Sequence, residues 1–124
     1  LKGMPPPPPR EAYEGAVKAR AGVQARVRGR FAEHQIAALA YPTLFEHAPR
    51  IGDMADVTWG GQAMPRILAL GRSTLLAPCC GHPGLVVPAG LGDAGLPIGL
   101  ELDAPAGTDR QLLGLGLAVE RVLG

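Results

Sequence analysis

The stretch Pro83–Gly124, PGLVVPAGLGDAGLPIGLELDAPAGTDRQLLGLGLAVERVLG, decides how this chain is read. Leu85, Val86 and Val87 form a short branched apolar run, which predicts a strand at about 85–88. LGDAG at 91–95 is an Asp/Gly turn signal. A second strand is predicted at 96–102, with Ile98, Leu100 and Leu102 on one face and Glu101 interrupting the apolar character of the other. A Pro/Gly loop then leads into a helix. Thr108 is its predicted N-cap, Gln111 three residues on completes a capping box, and Asp109 suits the positive end of the helix dipole. From Leu112 to Leu123 the helix is apolar nearly all round, which predicts that it is covered on more than one side. Val86, Ile98, Leu100, Leu113 and Leu117 are the expected core residues.

Working back toward the N-terminus, residues 1–9 (LKGMPPPPP) form a proline-rich leader expected to be extended and stiff. A long helix is predicted from Arg10 to His34. At 100° per residue Ala12, Tyr13, Ala16, Val17, Ala19, Val23, Val27 and Phe31 share one stripe, predicted to face a core, and Glu11, Glu14, Lys18 and Glu33 occupy the other side. Arg20 and Gln24 intrude into the stripe. Arg20 must therefore either extend its head to water or meet an acidic partner. Ile36–Tyr41 (IAALAY) reads as a short buried strand closed by Pro42. Thr43, Leu44 and Phe45 then fall in a loop at its C-terminal edge, the edge where open α/β sheets bind ligands. Residues 46–61 read as irregular surface broken by Pro49, Gly52 and Gly60–Gly61. Residues 62–70 fit a short helix or a loop, Pro65 leaving both open.

Composition narrows the class. A chain of 124 residues holds one domain with a real core, here 10–124 behind the leader. An apolar fraction of 47% argues against disorder throughout. A net charge of +1 does not make a nucleic-acid footprint, and Arg20, Arg26, Arg28 and Arg30 read as a solvated helix face. No apolar run reaches the roughly 18 residues of a membrane span, and no signal peptide opens the chain. Cys79 and Cys80 are adjacent and cannot staple a fold, so a reducing, cytoplasmic setting is expected. The 18 glycines and 13 prolines suggest a turn-rich piece that packs against something larger.

The order and spacing of several segments resemble the amidase signature family, and especially its mandelamide- and indoleacetamide-hydrolase-like members. PREAYEGAVKARAGVQARVRGRFAEHQIAALAYPT (Pro9–Thr43) is similar to the family's long helix and strand–Pro–Thr segment. APRIGD (Ala48–Asp53) is similar to its following loop. GHPGLVVPAGL and GLPIGLELDAPAGTDRQLL are similar to its last two strands and helix. The resemblance implies an α/β fold, the C-terminal part of a mixed β-sheet flanked by helices. It implies amide C–N hydrolysis by a Ser–cis-Ser–Lys triad, in which a hydroxyl is activated by a desolvated lysine. It implies no cofactor. This chain has no Ser-Ser pair and no Gly/Ser-rich loop, so no catalytic residue is assigned in it. Its lone serine, Ser73, lies in GRSTLL, which resembles a downstream stretch where an asparagine is expected; the chain has no asparagine.

Other constellations carry less. Cys79-Cys80-Gly81-His82 lacks the spacing of a zinc half-site, and no second pair exists, so a packed turn is expected and no metal. A Cys–His nucleophile pair is not expected of sequence neighbours. His34 and His47 read as surface or capping histidines. Glu101 and Asp103 share a strand face by simple alternation. LGDAG and GLGL lack the strand-to-helix context of a phosphate loop. Two functions remain. The first is the C-terminal portion of an amidase, inactive alone, that supplies sheet edge, helices and a substrate-pocket rim (Thr43, Leu44, Phe45) to an N-terminal portion acting on a small amide. The second is a non-catalytic, amidase-derived module that self-associates.

Overall fold

Among the described residues the chain forms two small antiparallel sheets and four helices, and the central strand of the larger sheet organises the rest. The structure, a computed structural model, describes residues 6–124, so the first five residues of the proline-rich leader lie outside the described residues. The elements are α1 (Arg10–His34), β1 (Leu39–Pro42), β2 (Val57–Trp59), β3 (Gln62–Met64), α2 (Arg66–Thr74), α3 (Leu76–Cys80), β4 (Gly84–Leu91), β5 (Pro97–Asp103) and α4 (Asp109–Leu123). β5 lies between β1 and β4, antiparallel to both. The architecture is α/β, with helices around strands that pair antiparallel among the described residues.

The two predicted C-terminal strands are present, with β4 longer than expected. Its register with β5 shifts between Pro88 and Leu91, and the ladder ends in a turn where Gly92 N–H donates to the Leu96 carbonyl at 2.9 Å. Leu85 sits opposite Leu102 and Val87 opposite Leu100, which places all four on one sheet face. α4 covers that face. Leu102, Ala104 and Leu112 form the buried centre, with Ala38, Leu85, Leu100, Leu115 and Val119 packed around it. Gly116 lets the helix backbone come close, since a Cβ there would run into Leu85.

Several expectations are corrected. Val86 points to the opposite face and is 51% exposed, while Leu113 and Leu117 are 59% and 58% exposed. The period of 2 puts Val86 beside Glu101, not beside Leu100. α4 is covered on one side only, because no described element packs over Leu113 and Leu117. Ile98 and Leu100 are half-buried, and Glu101 and Asp103 are buried instead. The capping box does not form. Thr108 Oγ1 donates to the Pro105 carbonyl at 2.6 Å, so its hydroxyl is engaged behind the helix, although the Thr108 carbonyl accepts Leu112 N–H at 2.9 Å.

At the other end, the α1 stripe is covered only from Val23 onward: Val23 and Val27 are half-buried, Phe31 is buried, and Tyr13 and Val17 are exposed. Arg20 meets a backbone carbonyl rather than an acid. It donates to Cys79 O at 2.6 Å, and Gln24 donates to Cys80 O at 3.2 Å, so both satisfy the open C-terminal end of α3. The strand predicted at Ile36–Tyr41 begins only at Leu39. Gln35 in the left-handed conformation and Ile36 are used in closing α1, donating to Ala32 and Phe31 carbonyls. β1 alternates half-buried and exposed residues and tolerates Pro42 because it is an edge strand.

The supposedly irregular 46–61 segment contains β2, and Gly60–Gly61 is the two-residue turn of the β2–β3 hairpin. Both glycines have positive φ (57° and 80°), which the paired strands require there. Pro65 resolves the ambiguity at 62–70. It ends β3 and opens α2, where a missing N–H costs nothing.

Leu102→Ala is expected to destabilise the chain by about 2–5 kcal/mol, because it empties the centre of the core. Leu117→Ala is expected to change stability by no more than about 0.5 kcal/mol. Urea denaturation of the two variants measures the contrast.

Candidate functional site

Thr43, Leu44 and Phe45 follow β1 directly, in a loop held against the sheet from three sides. Thr43 N–H donates to the Gly99 carbonyl at 3.0 Å, and the absence of a side chain at Gly99 makes room for the threonine. The His47 ring occupies the space over Gly92 that a side chain there would need, so the loop rests on the β4–β5 turn. Arg66, at the first turn of α2, holds the far end. Its side chain is largely buried, Nε lies 3.0 Å from Glu46 Oε1, and Nη1 lies 2.9 Å from Asp53 Oδ2. Nη1 also donates to the Asp53 carbonyl at 2.9 Å. The Arg66 guanidinium, with a further hydrogen bond from Ala55 N–H, holds the Asp53 carboxyl below the usual carboxylate range. Phe45 packs edge-to-face on Trp59 of the hairpin, with ring centroids 4.9 Å apart.

Between this loop and the sheet lies a cavity of about 700 Å³, bordered by Thr43, Leu44, Phe45 and His47 on one side and by Val86, Pro88, Ile98 and Gly99 on the other. The wall is mainly apolar, and Thr43 Oγ1 is a buried hydroxyl with no hydrogen-bond partner. That combination, apolar walls with a few placed polar groups, is what small-molecule sites use. Arg66 and Trp59 escaped sequence reasoning, and His47, read there as a surface or capping histidine, is exposed but rests its ring on Gly92. The only trace in the sequence is Glu46 and Asp53 flanking a Pro/Gly-rich loop ahead of an arginine, a pattern shared by many solvated surfaces.

The remaining sequence candidates are dispersed. Ser73 is half-buried on α2 and borders a second cavity of about 450 Å³ with Tyr41, Trp59 and Arg72. Lys18, the single lysine among the described residues, is exposed on α1. Cys79 is exposed and Cys80 buried at the end of α3, both as free thiols, and burial pushes the Cys80 thiol up, away from a reactive thiolate. His82 packs against Phe31 edge-on, with ring centroids 5.5 Å apart. His34 is exposed in the last turn of α1. Among the described residues no group of three or more His, Cys, Asp or Glu side chains is placed to hold a metal ion, and no helix is long and apolar enough to cross a membrane.

The amidase family model matches residues 8–113. This chain belongs to the amidase family. It is similar to the indoleacetamide hydrolase of Agrobacterium vitis, 33% identical over 104 residues that make up 84% of this chain and 22% of that protein. It is also similar to the mandelamide hydrolase of Pseudomonas putida, 33% identical over 116 residues covering 92% and 22%. A crystal structure of an amidase superposes with a TM-score of 0.81 at 27% identity, covering 94% of this chain and 26% of that one. The chain thus spans about a fifth of the length of the curated relatives it matches.

Arg66→Ala is expected to free the 43–53 loop, because it removes the Asp53 hydrogen bonds and the Glu46 ion pair. Hydrogen exchange of its amides should accelerate, and Trp59 fluorescence should shift to the red.

Proposed function

We propose that this chain is the C-terminal portion of an amidase that hydrolyses carbon–nitrogen amide bonds, inactive by itself because it holds no Ser–cis-Ser–Lys set. The observation that carries this reading is the cavity bordered by Thr43, Leu44 and Phe45. It lies at the end of β1, is shaped by family segments, and presents an apolar wall with one unengaged hydroxyl. In this reading Leu44, Phe45 and Val86 receive the hydrophobic part of a small amide. Thr43 offers a hydrogen bond, and the N-terminal amidase portion supplies nucleophile and base. The similarity to mandelamide and indoleacetamide hydrolases supports an aryl-substituted amide as substrate. Free thiols at Cys79 and Cys80 fit a reducing, cytoplasmic setting.

The reading is tested by complementation. The 124-residue chain alone should release no ammonia from mandelamide or indoleacetamide above background. Mixed with a Pseudomonas putida mandelamide hydrolase truncated before its matching segment, it should restore turnover. Turnover by the chain alone that survives re-purification, or labelling of Ser73 by a fluorophosphonate, would overturn it.

One observation favours a second reading, an amidase-derived module that self-associates. Leu113, Leu117 and Val122 leave α4 with an exposed apolar side, and β1 leaves an open sheet edge. This reading expects a dimer or larger assembly whose interface includes α4 or residues 36–41, with Pro6–Pro9 peripheral. A monodisperse monomer in light scattering at micromolar concentration would exclude it.

A further inference from the structure

The sheet face opposite α4 carries an unusual row of acids. Glu101 and Asp103, alternate residues of the central strand β5, are 8% and 0% exposed. Neither forms an ion pair among the described residues. Tyr41, opposite Glu101 in β1, donates its hydroxyl to Asp103 Oδ2. That leaves two buried oxygens without a partner, Glu101 Oε2 and Asp103 Oδ1. The carboxyl groups converge over Gly84 of β4. A point one Cβ bond out from that residue lies 3.0 Å from Asp103 Oδ1 and 3.6 Å from Glu101 Oε1, with the Ala77 methyl of α3 closing the site at 3.9 Å.

Two ionised carboxylates this close, buried and without a cation, would each bear a desolvation cost and repel the other. Buried polar groups in folded proteins find partners, and an apparent exception calls for an unseen one. A proton on Glu101 removes one of the two charges and supplies a donor on the same side of Gly84 as the orphaned Asp103 Oδ1. We infer that Glu101 and Asp103 share one proton at neutral pH, Glu101 donating to Asp103, so that Tyr41, Asp103 and Glu101 form a buried hydrogen-bonded row that makes the sheet sensitive to alkaline pH.

The surroundings agree. Burial first, and the charge of Asp103 second, push the Glu101 carboxyl up from its ordinary value. Tyr41 is pushed up in the same way, by burial and then by its bond to Asp103, so it stays a donor. The other titratable group coupled to the pair is Cys80 of α3, pushed up mainly by burial and in small part by Asp103, while the charge of Arg20 of α1 acts on Cys80 in the opposite direction. His82, after α3, keeps a buried Nδ1 without a partner. β4 contributes only Gly84 and Val86 to this row, and α4 lies on the other face. The sign follows from the raised Glu101. Its stabilising neutral form is complete below the ordinary glutamate range and is lost as pH rises through the folded-state value, so the pair favours folding on the acid side. Gly99, at the cavity floor, is the next residue along the same face of β5.

The inference stands apart from the amide-hydrolase reading, and its test needs no substrate. Infrared spectra of the 124-residue chain at neutral pH should show a protonated-carboxyl C=O stretch that disappears in Glu101→Gln. The variant, neutral and still able to donate to Asp103, should also flatten the decline in unfolding midpoint expected of the unaltered chain as pH rises above the ordinary glutamate range. A spectrum without that band, or a band that persists in Glu101→Gln, overturns the inference. If Glu101→Gln does not fold, ¹³C titration of Glu101 in the unaltered chain decides. A carboxylic-acid shift at neutral pH supports the shared proton, and a carboxylate shift overturns it.

Discussion

Almost everything in this structure hangs on β5, which is hydrogen-bonded along both edges and loaded differently on its two faces. One face, through Leu100 and Leu102, receives α4 and builds the apolar centre. The other, through Gly99, Glu101 and Asp103, carries a cavity floor and then a buried acidic row. Because side chains alternate strictly along a strand, a slip of one residue would send the carboxyls into the apolar centre and the leucines onto the acidic face. The bulge after Pro88 and the turn at Gly92–Leu96 pin the register against such a slip.

Among the described residues, apolar surface is open on the first half of α1, on the outer side of α4, on α2 at Ile67 and Leu68, and at Val86 beside the cavity. The curated relatives that this chain matches are several times longer than it is. The local structure is nonetheless self-consistent. Arg20 and Gln24 satisfy the end of α3, and Gln35 closes α1. The Arg66 cluster fixes a loop that would otherwise have few contacts.

Polar groups, more than apolar ones, distinguish the candidate site and the buried row of acids beside it. Arg66, Glu46 and Asp53 shape the cavity from behind, while Thr43 presents an unengaged hydroxyl to it. Tyr41, Glu101 and Asp103 lie one step further along the same sheet face. A buried polar group is costly unless bonded, so each such group either supports a specific geometry or waits for a partner.

The sequence alone determined the long helix, the β4–turn–β5 hairpin, the terminal helix and the amidase family, because hydrophobic periodicity, turn residues and segment order are local or linear signals. It also located the Thr43–Phe45 loop at a strand end. Tertiary structure decided which side of each element is covered. Val86, Leu113 and Leu117 look as apolar as Leu102 in the sequence, yet only a partner element makes a residue core. Tertiary structure also decided that Thr108 bonds backward to Pro105, and that Gly60–Gly61 turns a hairpin. It brought Arg66 to Glu46 and Asp53, and Tyr41 to Asp103. Periodicity tells which residues share a face; contacts between residues far apart in the chain depend on how those faces are brought together.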